Sequence, residues 1–444
     1  MNSLMRKCFF GILLGYGIML CGLFYWHLFA DLGEHPANPR YYLVFSQPRG
    51  SFLDRNGFVL AASEVMEDGT RARKYTIPSL SHVIGYFHSR YGITGLEKTY
   101  HSGLMGGQTV WTTIDLGIQR LVEEAFAGYT GAVIVIKPST GEVLALLSSP
   151  YLDGNQLDKK WTTYREDVRS PFLNRVTQGL YPPGSAVKPI VYGTALIEDV
   201  ARAEQLWVDK GVVQLVDREI ANYGALPLGT LTTEEALAQS SNVVFAQLAA
   251  ALGTRLLSAY DRCGLGRALP FDLPNRGGYL PDQAYSDYGY AQLGIGQGEL
   301  LVTPLQMGVL VAAIANRGTM MAPYLIRELR GGFRLRQITR PRSLGQVLPE
   351  RTAVLVRDAM VLAVQNGTAQ TANITGVSVA AKTGTAQNPH GQDHAWFIGF
   401  APSIDPQLAI AVVVEQGGVG GTTAAPIGGT ILKGALDILN RQER

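Results

Sequence analysis

The chain has 444 residues, enough for one large core or two domains, with a net charge of +2 and only 17% charged residues. That balance excludes the strongly basic face of a nucleic-acid binder, and a lone Cys263 beside Cys8 and Cys21 in an apolar run excludes a disulfide framework. No Cys-x-x-Cys spacing occurs, and neither a metal site nor a cofactor is expected.

Arg6 and Lys7 precede an apolar run from Cys8 to Ala30 that is long enough to cross a bilayer. Positive charge on its N-terminal side predicts a single-pass anchor with a cytoplasmic N-terminus and everything from Asp31 onward outside the membrane. Tyr25 and Trp26 fall where an interfacial aromatic belt belongs. A cleaved signal peptide is the rival, but the run is long and no small-x-small site follows it. Asp31 to Tyr41, with Pro36 and Pro39, reads as a juxtamembrane linker.

Asp54-Arg55-Asn56-Gly57 is an Asn-Gly turn between two short strand-like runs. Thr109 to Ile114 reads as a strand, and Leu116 to Ala127 as a helix capped by Asp115. Ala132 to Ile136 and Glu142 to Ser148 form a hairpin around Pro138-Ser139-Thr140-Gly141. Helices are expected over Ser185 to Ile197, Thr233 to Leu252, Pro304 to Asn316 and Glu350 to Gln365. Strands follow at Val377 to Ala386, Ala395 to Phe400 and Leu408 to Val414, then a glycine-rich turn and a helix over Ile427 to Leu439. The order predicts an α+β fold, an antiparallel central sheet flanked by helices.

Ser185 and Lys188 stand three residues apart in Tyr181-Pro182-Pro183-Gly184-Ser185-Ala186-Val187-Lys188, with Ser185 placed as an N-cap. On a helix the two share a face, so a neutral Lys188 could take the Ser185 proton and make it a nucleophile. Ser240-Ser241-Asn242 and Lys382-Thr383-Gly384-Thr385 follow. Ser-x-x-Lys, Ser-x-Asn and Lys-Thr-Gly in that order form the serine acyl-transferase signature of penicillin-binding proteins and β-lactamases. Lys382 would supply the charge that lowers the pKa of Lys188. Ser240 could relay the proton to the leaving amine, and Asn242 could hold Lys188 and the substrate amide. Thr383 and Thr385 could bind a terminal carboxylate on a strand edge that Gly384 leaves open. The backbone N–H groups of Ser185 and Thr385 would make the oxyanion hole.

These motifs make the chain resemble the transpeptidase domain of penicillin-binding proteins. Gly296-Gln297-Gly298, Thr303-Pro304-Leu305-Gln306 and Ala395-Trp396-Phe397-Ile398-Gly399 extend the resemblance. Arg49-Gly50-Ser51-Phe52-Leu53-Asp54-Arg55-Asn56-Gly57 and Gly92-Ile93-Thr94-Gly95-Leu96-Glu97 are similar to the N-terminal elements of the monofunctional class B type, with Phe52 in place of a β-branched residue. The resemblance implies three parts: a cytoplasmic start and anchor at 1–30, a reduced pedestal region at 31–110, and a transpeptidase domain with a helical subdomain at 111–444. Residues 31–110 are too few for a glycosyltransferase domain.

The implied reaction is peptidoglycan cross-linking. A serine attacks a D-Ala-D-Ala stem peptide, releases D-Ala and passes the acyl group to another stem's amine, and β-lactams acylate the same serine. A polytopic membrane glycosyltransferase of the shape, elongation, division and sporulation type is the implied partner. The alternatives on this fold are a D-Ala-D-Ala carboxypeptidase, a β-lactamase, and a non-catalytic β-lactam sensor or scaffold. No Glu-x-x-x-Asn loop for water-driven deacylation stands between the second and third motifs. Ser-Ser-Asn departs from the class D middle motif, and intact Ser185, Lys188 and Lys382 argue against inactivity.

Overall fold

The structure is a computed structural model that describes residues 3–28, 45, 47–67, 71–216, 218–283, 286–331, 336–389 and 391–442. The expected juxtamembrane linker at 31–41 lies outside them. The helix Ser3–Leu28 contains a span, Ser3–Trp26, of mean hydropathy 2.0, long and apolar enough to cross a membrane.

The central sheet has five strands, all antiparallel. From one edge to the other they are Ala380–Ala386, His394–Ala401, Leu408–Val414, Gly131–Ile136 and Val143–Ser149. The inner strands read as nearly unbroken apolar runs because both faces are covered. Period-2 alternation then sorts their side chains into two cores. Ile134, Ile136, Ala411 and Val413 face a core shared with Leu310 of the buried helix Pro304–Ala315. Val133, Val135, Ile410 and Val412 face one shared with Ile118 of Leu116–Ala125 and with Ile431 and Leu432 of Ala424–Gln442. Each such valine, leucine or isoleucine contributes about 1.5–3 kcal/mol by leaving water. Asp115 caps its helix as expected, accepting from the Gly117 and Ile118 amides.

A second sheet joins the N-terminal segments to the body. Phe52–Leu53, Val59–Val65, Arg71–Tyr75 and Thr109–Thr112 share it with Ile326–Arg330 and Arg336–Ile338. Asp54 organises the Asn-Gly turn, its Oδ1 accepting from Asn56 N and Phe58 N at 2.8 Å each. Behind the sheet, fully buried Glu97 accepts from Arg49 Nε and Arg73 Nε at 2.6 Å each. Phe52 is completely buried, so an aromatic ring fills the place where a β-branched residue was expected.

Three expectations need correcting. Ser185 is no N-cap: it lies inside the 3-10 turn Gly184–Val187, and the α-helix begins at Lys188. Thr233 to Leu252 is two helices, Thr233–Ala238 and Asn242–Leu252, because Ser240 adopts a left-handed φ of 63°. The glycine-rich stretch before the last helix is only partly turn, since the helix starts at Ala424 and includes Gly428 and Gly429. Cys263 is a buried core residue, 2% exposed.

Candidate active site

The edge strand Ala380–Ala386 leaves one backbone edge of the central sheet open, and the Ser185 turn packs against it. Gly184 has φ +53°, and a Cβ there would stand 2.6 Å from Thr385 O. A Cβ on Gly384 would stand 2.9 Å from Pro183 O and 3.0 Å from Ala186 N. Glycine at both positions therefore lets nucleophile turn and strand touch backbone to backbone. Trp396 Nε1 donates to Pro182 O at 3.0 Å and Gly184 N to Gly296 O at 2.8 Å, fixing the turn from two more sides.

Opposite stands the turn that breaks the expected helix. Lys188 is fully buried, and its Nζ lies 2.7 Å from Ser240 O, 2.7 Å from Asn242 Oδ1, 3.2 Å from Ser241 O and 3.4 Å from Ser240 Oγ. In the 3-10 turn, residues three apart eclipse, which sets Ser185 and Lys188 on one side. Burial pushes Lys188 well below the ordinary lysine range; the charge of Lys382 acts the same way and Asp209 opposes both. A neutral amine has two N–H bonds and one lone pair. Ser240 O and Asn242 Oδ1 at 2.7 Å and Ser241 O at 3.2 Å can only accept, so an ammonium would fill all three, and a neutral Lys188 gives up the longest to turn its lone pair to a hydroxyl proton.

Lys382 is also fully buried, donates to Thr383 O at 2.9 Å, and is brought down to about 7 by burial. Thr383, 5% exposed, shares a 2.8 Å hydrogen bond between hydroxyls with Thr368, and Thr385 Oγ1 accepts from Gly420 N at 3.2 Å. The structure thus brings Ser185, Lys188, Ser240, Asn242, Lys382, Thr383, Gly384 and Thr385 around one cleft.

Sequence reasoning missed Thr368, which sits where the helix Glu350–Gln365 gives way to a turn, and Asp209 and Asn222, which lie behind Ser241 and Asn242. Among the described residues no group of His, Cys, Asp and Glu could hold a metal ion.

A serine close to a buried lysine whose pKa burial lowers, with a second lysine on an open strand edge, supplies the parts a serine acyl transfer needs. The penicillin-binding protein transpeptidase domain matches residues 131–433. The peptidoglycan D,D-transpeptidase PbpA of Mycolicibacterium smegmatis is 33% identical, over 98% of this chain and 99% of its own. A D,D-transpeptidase domain structure from Eggerthella lenta covers 89% of this chain and 99% of its own, at 32% identity and TM-score 0.84. The ceftriaxone acyl-enzyme complex of penicillin-binding protein A from M. tuberculosis covers 88% and 99%, at 30% identity and TM-score 0.84. The chain belongs to the penicillin-binding protein transpeptidase family, among its class B peptidoglycan D,D-transpeptidases.

Proposed function

We propose that this D,D-transpeptidase forms its acyl-enzyme on Ser185, with Lys188 as the base that takes the hydroxyl proton. The carrying observation is the Lys188 environment: complete burial, with the charge of Lys382 acting the same way, favours the neutral amine, and acceptor oxygens of Ser240 and Asn242 at 2.7 Å hold that amine in place. Ser185 Oγ attacks the penultimate D-Ala carbonyl and its proton passes to Lys188. The C–N bond then breaks, and Ser240 relays a proton to the departing D-Ala amine. A second stem's amine attacks the ester, displaces Ser185 and leaves the cross-linked amide. Asn242 orients Lys188 and the substrate amide. Lys382 and Thr383, with Thr385, take the terminal carboxylate, and the backbone N–H groups of Ser185 and Thr385 face the oxyanion. β-Lactams enter the same reaction because their strained amide presents the same carbonyl and carboxylate.

The N-terminal helix anchors the chain in the membrane, and Arg6 and Lys7 support a cytoplasmic N-terminus with the cleft outside. Residues 1–30, 31–110 and 111–444 then serve as anchor, pedestal and catalytic body. The pedestal is sewn to the body through Ile326–Arg330. A polytopic membrane glycosyltransferase supplies the glycan strands that this chain cross-links.

Labelling with a fluorescent penicillin tests the assignment. Stable labelling of the wild type, absent in Ser185→Ala, is expected; labelling that persists in Ser185→Ala overturns it. Cross-linked product formed with an added acceptor amine, in excess of hydrolysed acid, tests transfer over carboxypeptidase action.

A further inference from the structure

Among the described residues, Lys188 Nζ hydrogen-bonds to residues 240–242, so whatever fixes that turn fixes the base. Ser240 N donates to Leu237 O at 3.1 Å and Ser241 N to Ala236 O at 2.9 Å, which ties the turn to the preceding helix on one side only. Ser240 is in a left-handed conformation that a serine adopts at a cost, which needs outside support. The support comes from Asp209, 1% exposed at the end of the strand Leu206–Asp209. Its Oδ2 accepts from Ser241 Oγ at 2.6 Å, its two oxygens accept from Asn222 Nδ2 at 2.8 and 2.9 Å, and its Oδ1 accepts from Gly211 N at 2.8 Å.

Two arms run from that carboxylate to the turn. In one, the Ser241 proton is committed to Asp209 while the same oxygen accepts from Val244 N at 3.0 Å, capping the helix Asn242–Leu252. In the other, Asn222 donates to Asp209 and its Oδ1 accepts from Asn242 N at 2.8 Å and Val243 N at 3.2 Å. Residues 241–244 are thereby held from behind, while 240–242 hold Lys188 in front.

We propose that Asp209 is a positioning residue for the acylation step: its buried carboxylate braces the Ser240–Asn242 turn through Ser241 and Asn222 and places a negative charge behind the Lys188 amine. This rests on Lys188 as the base. The charged groups that act on that amine are Lys382 and Asp209, in opposite senses. Glu234 and Asp358, on helices packed against the Lys188 helix, act on Tyr192 instead. Asp209 thus sets a compromise: it fixes the base in place and makes it easier to protonate. Removing only the charge moves protonation of Lys188 to lower pH; removing only one arm loosens the turn and leaves that pH unchanged.

The test is the pH profile of second-order acylation by a fluorescent penicillin, measured on the full chain in detergent. In Asp209→Asn, of nearly the same shape, the acid limb should move down by roughly one pH unit, and the alkaline plateau should fall about tenfold as the brace weakens. Ser241→Ala keeps the charge and cuts one arm, so its plateau should fall with the limb unmoved. An Asp209→Asn limb that coincides with the wild type, or a Ser241→Ala plateau that does, overturns the proposal. Should Asp209→Asn melt below the assay temperature, Ser241→Ala and Asn222→Ala decide, since unchanged plateaus in both refute the brace. Failure of the underlying reading looks different: labelling of Ser185→Ala, or a wild-type profile with no acid limb.

Discussion

Lys382→Met separates what this cleft costs the fold from what it gives the chemistry. Lys382 is completely buried and its pKa falls from 10.5 to about 7. At about 1.4 kcal/mol per pH unit, that drop corresponds to about 5 kcal/mol. Between pH 7 and 10.5 the unfolded chain holds the proton and the folded chain does not, so acidification favours unfolding. Below pH 7 the whole penalty is present; as pH rises toward 10.5 it vanishes. Methionine fills a similar volume without an amine, so the penalty disappears. The variant leaves Thr383 O without the Lys382 donor at 2.9 Å, which gives back about 1–2 kcal/mol. The net expectation is a stabilisation of about 3 kcal/mol at pH 6 that fades by pH 10, together with loss of penicillin labelling. Urea unfolding of wild type and variant at several pH values measures it. A gain of the same size at pH 6 and pH 10, or a loss at pH 6, would refute the reasoning.

Three further outcomes follow from the geometry. Gly384→Ala places a methyl 2.9 Å from Pro183 O and 3.0 Å from Ala186 N, backbone atoms that cannot swing aside. The nucleophile turn must retreat, and acylation by a fluorescent penicillin should slow about 100-fold in a protein that still melts cooperatively. Thr368→Val removes the partner of the Thr383 hydroxyl, so KM for a D-Ala-D-Ala peptide should rise about fivefold with kcat little changed, for roughly 1 kcal/mol. Glu97→Gln leaves Arg49 and Arg73 buried without their carboxylate and should cost about 3–5 kcal/mol in thermal unfolding, whereas a shift within error would show the pair is solvated.

The central sheet was legible because its strands are bounded by clear turns and buried on both faces. Leu408–Val414 and Glu350–Gln365 run where the pattern alone puts them. The residues of the three motifs were legible as residue types at fixed spacings. What lay behind them was not. Asp209 and Asn222 belong to short hairpins between Leu206 and Thr232 whose strands are largely exposed and show little periodicity. Their importance comes from contacts across 32 and 20 residues of chain, which no local pattern reports. Thr368 was hidden for a similar reason, since it sits just past a helix end and meets Thr383 only in the folded cleft.

The places where local rules failed are the places where the chemistry sits. Apolar sequence on both sides of Ser240 favours one continuous helix, and the structure interrupts it with a left-handed serine whose carbonyl turns to Lys188. Pro182-Pro183-Gly184 favours a capped α-helix at Ser185, and the structure inserts a 3-10 turn that touches the Lys382 strand. A lysine belongs at the surface, and here two are buried whole. Each departure costs the fold free energy, and each is met by a specific neighbour: Asp209 behind the broken helix, Gly296 and Trp396 around the tight turn, Thr383 O on the buried amine. A sequence selected for stability alone would have no reason to retain these pairings together. Their convergence on one cleft is what distinguishes a working acyl-transfer site from three motifs that happen to share a chain.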